Sequence, residues 1–393
     1  MPQKAAARDS HTKRCSRDSG PRPSPLVAIS RPLLRWYDAN RRDLPWRRRF
    51  DDPYAQLLAE FMLQQTQVST VLNYYERFIK RFPTVRSLAA AELDDVLALW
   101  SGLGYYSRAR NLHAAARKIV EQYGGTVPRT VDELMRLPGI GRYTAGAIAS
   151  IAYDVRAPVL DGNVIRVLMR LSAMRADPKS PTARKRLWDR AESLLPRKRC
   201  GDFNQAMMEL GATLCLPRAP NCDVCPLKRC CLARLRCLTD QIPPTARRAR
   251  VVPARMVVAA IRRTGVRTSV QEWLFVQRPP SGLWAGLWEL PSEPVADGES
   301  LVAACKRLLA GLPISCRLSR APKATVTRRL THRRITFEIF SGTAGDGQSP
   351  PRPWRWISPG PNRRLGTSRA CEVIMELLGA RRTLAKPAKA SDK

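Results

Sequence analysis

The chain has 393 residues, long for one domain and comfortable for two at the usual ~100–200 residues each. Hydrophobic residues make up 44% of it, enough for sizeable cores, and no run approaches the ~18 uninterrupted apolar residues of a membrane span. Its 68 Lys and Arg against 33 Asp and Glu leave a net charge of +35, which argues against an enzyme of small neutral metabolites and for a polyanionic partner, nucleic acid before membrane surface.

Residues 1–25 are charged, rich in Ser and Pro, and lack a hydrophobic signal core. They read as a disordered basic tail on a protein expected in the cytoplasm. From 26 to 238 the patterns are helical. Pro53 follows Asp51 and Asp52, and Tyr54, Leu57, Leu58, Phe61 and Met62 then repeat at helical spacing. Thr130-Val131-Asp132-Glu133 is a capping box, and Ser180-Pro181 and Asp202 are further helix starts. The expectation is an all-α assembly of about ten short helices. Residues 239–254, with Pro243-Pro244 and three arginines, read as a linker. Residues 255–380 change texture, with strands expected at 256–261, 273–276 and 335–340 and helices at 300–309 and 368–378. That is a second, α+β domain. Residues 381–393 form another basic tail, expected to be disordered.

Six of the eleven cysteines fall between Cys215 and Cys237. In a chain without a signal peptide, clustered thiols point to metal ligation rather than disulfides. The spacing Cys215-x6-Cys222-x2-Cys225-x5-Cys231 suits either a [4Fe–4S] cluster or a structural zinc. Leu137-Pro138-Gly139-Ile140-Gly141 precedes a helical run. Its glycines Gly139 and Gly141 allow a tight turn that presents N–H groups to a phosphate, as in a helix–hairpin–helix that holds DNA backbone without reading bases. Two carboxylates stand apart. Glu60 lies at the edge of its helix's apolar stripe, beside Gln64, where a solvated surface residue is the plain alternative. Asp161, in Leu160-Asp161-Gly162-Asn163-Val164, is placed to be an N-cap.

Leu44-Pro45-Trp46, Glu60 to Val68, Gly102 to Ala109, the hairpin, Leu160 to Val164, and Phe203-Asn204-Gln205-Ala206-Met207 occur in that order before the cysteines. Together they closely resemble the MutY adenine DNA glycosylases of the endonuclease III superfamily. The resemblance implies one [4Fe–4S] cluster on Cys215, Cys222, Cys225 and Cys231. It implies excision of adenine mispaired with 8-oxoguanine or guanine from double-stranded DNA after base flipping. Glu60 matches the family's general acid, protonating the leaving adenine, and Asp161 the carboxylate that stabilises the oxocarbenium-like sugar. Asn163 matches a residue orienting the water or the aspartate. Tyr143 replaces the lysine nucleophile of the endonuclease III branch, so a monofunctional enzyme is expected. Trp46, Arg47, Leu63 and Gln205 resemble the adenine-pocket lining. Gln65 resembles the wedge, and Thr66, Leu103 and Tyr105 the lesion-side contacts.

The second domain resembles the Nudix-related module of these enzymes, best over Arg278 to Pro291. No acidic residue lies between Glu299 and Pro313. The carboxylates of a working pyrophosphatase are therefore missing, and binding rather than hydrolysis is expected. Leu330-Thr331-His332 stands where family members usually have Phe-Ser-His, making Thr331 and His332 lesion-contact candidates. Leu58 and Ala59 stand where Trp and Ser are usual. The expected species is a monomer. Three other readings compete: an endonuclease III-like glycosylase–lyase, a catalytically idle mismatch-binding protein, and a Nudix hydrolase.

Overall fold

The computed structural model describes residues 25–49, 51–244, 251–264, 271–330, 333–345, 349–358 and 365–379. The two expected basic tails, apart from Pro25, fall outside the described residues, as do part of the linker and both Thr331 and His332.

Helix α1 (Pro25–Asn40) and a 3₁₀ turn at Pro45–Arg47 lead into α2 (Pro53–Leu63). Proline opens α2 because Asp52 Oδ1 accepts the amides of Tyr54 and Ala55 at 3.0 and 3.2 Å. There follow α3 (Val68–Arg81), α4 (Val85–Ala89), α5 (Leu93–Trp100), α6 (Ser107–Tyr123), α7 (Val131–Met135) and α8 (Arg142–Tyr153). Then come α9 (Gly162–Leu171), α10 (Pro181–Leu194), α11 (Cys200–Thr213) and the single turn α12 (Leu232–Leu235). Thr130 and Ser180 cap α7 and α10 through their side chains. Helix α11 begins earlier than the sequence suggests. Asp202 sits in its first turn, bonded to Arg199 Nε at 2.8 Å, instead of preceding it.

The chain divides into two compact units that are not consecutive in sequence. One holds the described residues through Glu60 with those from Val127 to the linker; the other holds Phe61–Thr126 with the described residues after the linker. In the first, Ile29, Leu33 and Tyr37 repeat every fourth residue along α1 and join Leu168, Leu187, Phe203 and Leu210 in one core. Two glycines let helices approach backbone. A Cβ at Gly146 would lie 2.4 Å from Pro158 O, and one at Gly201 would lie 2.3 Å from Ser150 O.

Among the described residues, the second unit carries α3–α6 and a mixed eight-stranded sheet. Its strands are β1 (Val252–Thr264), β2 (Gln271–Gln277), β3 (Trp288–Glu289), β4 (Ser292–Val295), β5 (Cys316–Leu318), β6 (Ala324–Arg329), β7 (Arg333–Ala344) and β8 (Trp354–Ile357). Strand β1 runs parallel to β7, while the remaining pairs between strands are antiparallel. Helices cover both faces. Val257, Ala259 and Ile261 join Ala304 and Leu308 of α13 (Leu301–Ala310), whereas Val258 and Ala260 join Ile374 and Met375 of α14 (Arg369–Leu377). A strand buried on both faces reads as an unbroken apolar run, which is why the sequence shows β1 so clearly. Among the described residues, no helix is long and apolar enough to cross a membrane.

Candidate active site

In the first unit, α7 and α8 flank the predicted hairpin. Gly139 has φ +76°, a left-handed turn that favours glycine. Gly141, at φ −94°, is an ordinary helix N-cap. The turn launches α8, whose residues Thr144 to Ser150 are buried, so Tyr143 in the first turn is carried beside the interior of the unit.

Glu60 is 6% exposed, so the solvated alternative does not hold. Its Oε2 is buried without a hydrogen-bond partner. Burial pushes the carboxyl up to about 7; the neighbouring Tyr143 hydroxyl opposes the rise and the charge of Asp161 adds to it. Burial likewise lifts the Tyr143 phenol well above its ordinary value, reinforced by both carboxylates. The Tyr143 hydroxyl also contacts Met208 Sδ at 3.4 Å. Asp161 is indeed the N-cap of α9, its Oδ1 accepting the Val164 amide at 2.7 Å. Burial raises its carboxyl too, but the Val164 amide and Asn163 counteract, the latter donating Nδ2 to Oδ2 at 3.2 Å. Two acids over a hundred residues apart in the chain thus share one electrostatic environment, in which Asp161 has the Val164 amide and Asn163 as donors for its anion while Glu60 has the Tyr143 hydroxyl and one bare oxygen. Such asymmetry pushes a pair towards one proton donor and one anion.

Asn163 is itself held. Its Oδ1 accepts from Arg166 Nη2 at 2.8 Å, and Arg166 also donates to the carbonyls of Gly211 and Cys215 at 2.8 and 2.7 Å. A Cβ on Gly211 would lie 2.6 Å from Asn163 Cβ, so glycine there allows α11 to lie against the start of α9. One helical turn further, the buried Arg170 donates to the carbonyls of Leu216, Pro217, Thr239 and Ile242 and to Cys215 Sγ. The cysteine loop is fastened to the helix that Asp161 caps. The sequence pattern did not single out Arg166 or Arg170; arginines at i+3 and i+7 from Asn163 are the signal that was available.

The expected pocket residues Arg47 and Gln205 meet through Arg47 Nε and Gln205 Oε1 at 3.1 Å. Trp46 is 5% exposed, and its carbonyl accepts from Gln56 Nε2 at 2.7 Å. Glu209, which sequence reasoning missed, anchors this group from a buried position. Burial alone would raise its carboxyl, but Arg42 and Arg47, at 2.6 and 2.9 Å, hold it below the ordinary value. Leu63, half-buried, belongs to the other unit.

That unit holds the four expected wedge and lesion residues. Gln65 and Tyr105 have φ of +56° and +49°, strained for residues with a Cβ by roughly 1 kcal/mol or more. Both are exposed, whereas Thr66 is half-buried and Leu103 buried. Arg108, 6% exposed, joins their two loops. Nη1 donates to Phe61, Met62 and Gln64 carbonyls, and Nη2 to Thr66 Oγ1 and the Leu103 and Gly104 carbonyls. The guanidinium also lies over the rings of Trp100 and Tyr105. Burial lowers it to about 10, leaving it charged at neutral pH.

Cys215, Cys222, Cys225 and Cys231 are all half-buried on one loop. Burial, then the neighbouring thiols, pushes Cys225 up to about 12 and Cys231 to about 11. Four soft sulfur donors on one loop suit iron–sulfur or zinc ligation, although no three side chains close into a metal-holding group among the described residues.

Residues 58–193 match the model for HhH-GPD superfamily base excision DNA repair proteins, and residues 263–377 match that for the NUDIX domain. A Rattus norvegicus protein named adenine DNA glycosylase is 40% identical over 406 residues, covering 90% of this chain and 78% of its own. The Homo sapiens protein of that name is 41% identical over 393 residues, covering 85% and 70%. Among solved structures, a thermostable thymine-DNA glycosylase aligns with a TM-score of 0.48 and 31% identity over 52% of this chain and 94% of that one.

Proposed function

The chain belongs to the adenine DNA glycosylase family of base excision repair, and we propose that it hydrolyses the N-glycosidic bond of adenine opposite 8-oxoguanine or guanine. The observation that carries this reading is the pairing of a buried Glu60, pKa about 7 and Oε2 unpartnered, with Asp161, whose anion has two donors.

Adenine leaves poorly as an anion, so the flipped nucleotide needs a proton on its base before or as the bond breaks. At neutral pH a carboxyl with a pKa near 7 is substantially protonated, and its bare oxygen is free to meet a purine nitrogen, N7 being the expected site. Bond cleavage leaves positive charge on the sugar. Asp161, whose anion the Val164 amide and Asn163 favour against the burial that raises its carboxyl, stabilises that charge, and water completes the hydrolysis. Tyr143 supplies a phenol that cannot form an imine, so the product is an abasic site and not a nicked strand. The hairpin amides beyond Gly139 hold phosphate. Trp46, Arg47 and Gln205 line the adenine pocket, while Gln65, Thr66, Leu103 and Tyr105, with Thr331 and His332, address the opposite strand.

Cys215, Cys222, Cys225 and Cys231 would hold a [4Fe–4S] cluster, which supplies a rigid, charged cross-link to the loop when bound. The chain would act as a monomer.

A single-turnover assay on a labelled A:8-oxoguanine duplex tests the reading. Wild type should release adenine and leave an abasic site that only later alkali cleaves. Glu60→Gln should bind the duplex and excise nothing measurable. Excision at the wild-type rate by that variant would remove Glu60 from the mechanism, and a strong borohydride-trapped enzyme–DNA adduct would refute the monofunctional assignment.

A further inference from the structure

The second unit contains a junction that the chemistry above does not use. Two hydroxyls on either side of the Gly102–Tyr105 loop converge on one main-chain carbonyl. Ser101 Oγ donates to Thr367 O at 2.9 Å, and Tyr106 Oη donates to the same oxygen at 2.9 Å. Tyr106 Oη also accepts the Gly102 amide at 3.1 Å, so one phenol closes the loop on itself and ties it to Thr367. Ser101 Oγ further meets Glu372 in the first turn of α14, whose other oxygen accepts from Arg369 at 3.0 Å. A hydroxyl has one proton, so Ser101 divides it between Thr367 and Glu372.

Thr367 is well placed to hold rather than follow. It is 2% exposed and forms a β-bridge with Trp288 at β3, whose amide donates to Gly366 O at 2.9 Å. Ser368 next to it caps α14. Gly366 lies against α5, where a Cβ would sit 2.4 Å from Leu97 Cβ and 3.3 Å from the Leu97 backbone. This segment of the C-terminal domain is therefore fixed to its own sheet and pressed onto the helix that runs into the loop. The loop itself needs holding. Gly102 and Gly104 have φ of +92° and +77°, and Tyr105 keeps +49° despite its Cβ. A peptide with that many left-handed residues stays ordered only where its surroundings over-determine it. Arg108 secures it from within, and the Thr367 carbonyl secures it from the C-terminal domain.

We propose that Ser101 and Tyr106 are positioning residues through which the C-terminal domain, gripped at Thr367 and Glu372, sets the pose of Leu103 and Tyr105 and so the discrimination between 8-oxoguanine and guanine. This rests on the lesion-side reading of Leu103 and Tyr105 given above. The module then contributes to specificity without its own side chains having to touch the lesion. A pre-set aromatic pose lowers the ordering cost of binding the lesion, and the cost returns when the loop is released.

The test measures affinity of the full-length protein for duplexes carrying 2′-fluoro-deoxyadenosine, which resists glycosidic cleavage, opposite 8-oxoguanine or guanine. Tyr106→Phe combined with Ser101→Ala should lower the affinity ratio for 8-oxoguanine over guanine about tenfold, with binding to undamaged duplex unchanged. On cleavable duplex at saturating enzyme its excision rate should match wild type, a split that general destabilisation would not produce. Tyr106→Phe alone, a one-atom change that keeps the core filled, should lower the ratio about threefold and serves if the double variant melts too low. Tyr105→Ala is measured beside them. An unchanged ratio there refutes the lesion-side reading of Tyr105, whereas a lowered ratio there with an unchanged ratio in Tyr106→Phe overturns the clamp.

Discussion

Arg166 donates from Nε to the carbonyl of Cys215 at 2.7 Å while its Nη2 holds Asn163 at 2.8 Å. One guanidinium thus joins the cysteine loop to the amide that steadies Asp161. Arg166→Lys keeps the charge but not the planar fork, so it cannot serve Asn163, Gly211 and Cys215 together. The expected result is an excision rate down about 10- to 100-fold under single-turnover conditions, the scale of a misplaced catalytic group. Mismatch affinity should change much less. Rate and affinity measured on the same duplex separate the two, and equal losses in both would mean that Arg166 serves the fold alone.

Burial of Glu60 has a cost that titration can expose. Its carboxyl sits at about 7 in the folded protein, above the ordinary 4.5. A raised carboxyl pKa favours folding at low pH, and that contribution is lost as pH rises from about 4.5 through about 7. The difference is on the order of 3 kcal/mol. Glu60→Gln, neutral at every pH, should melt close to wild type at pH 5 and several degrees higher at pH 8. Excision by wild type should fall above pH 7 as the acid loses its proton, with an acid limb set by Asp161, whose carboxyl burial also raises. Thermal melts of the two proteins at both pH values check the first point, and a pH–rate profile the second.

Much of this was legible in the sequence because local rules and tertiary packing agree there. Asp52-Pro53 opens α2, Thr130 and Ser180 cap their helices, and the doubly buried β1 shows as an apolar run. Glu60 is the instructive exception. Helical periodicity alone leaves it at the edge of an apolar stripe, and only tertiary burial turns a surface-like carboxylate into an acid with a pKa near neutrality. The short strands β3, β4, β5 and β8, of two to four residues, give too few alternations to register. Arg166 and Arg170, and the role of Arg108 within its motif, were invisible for another reason. Their partners are mostly carbonyls, which carry no side-chain signature, so in a chain with 68 basic residues they look like surface charge.

Two neighbouring thiols distinguish ligand from bystander. Cys231 belongs to the proposed ligand set and Cys230 does not, although both thiols meet carbonyls, Cys230 Sγ that of Leu227 at 3.4 Å and Cys231 Sγ that of Arg170 at 3.5 Å. Cys230→Ser should keep the iron content and visible absorbance of purified wild type. Cys225→Ser should lose most of both and unfold at lower temperature, because the loop between Cys215 and Cys231 has little regular structure of its own. Iron analysis and absorbance on the two variants decide this, and a zinc content matching wild-type iron would reassign the site to a structural zinc.

Two helix glycines make a matched pair for separating stability from catalysis. A Cβ at Gly211 would lie 2.6 Å from Asn163 Cβ and 3.1 Å from its backbone, so Gly211→Ala must push α11 away from the start of α9. A Cβ at Gly201 would lie 2.3 Å from Ser150 O and 2.8 Å from Ile151 Cα, an overlap with backbone at the opposite end of α11. Each substitution overpacks a buried contact and should cost about 1–3 kcal/mol. Only the first displaces Asn163, and through it the carboxylate it holds. Below the melting temperature of both, Gly211→Ala should lose excision rate by about tenfold or more while Gly201→Ala keeps a rate near wild type. Denaturant melts establish that the two are comparably destabilised, and single-turnover rates on the folded proteins then give the comparison. Equal rate losses would show that the position of α11 as a whole matters, and not its contact with Asn163.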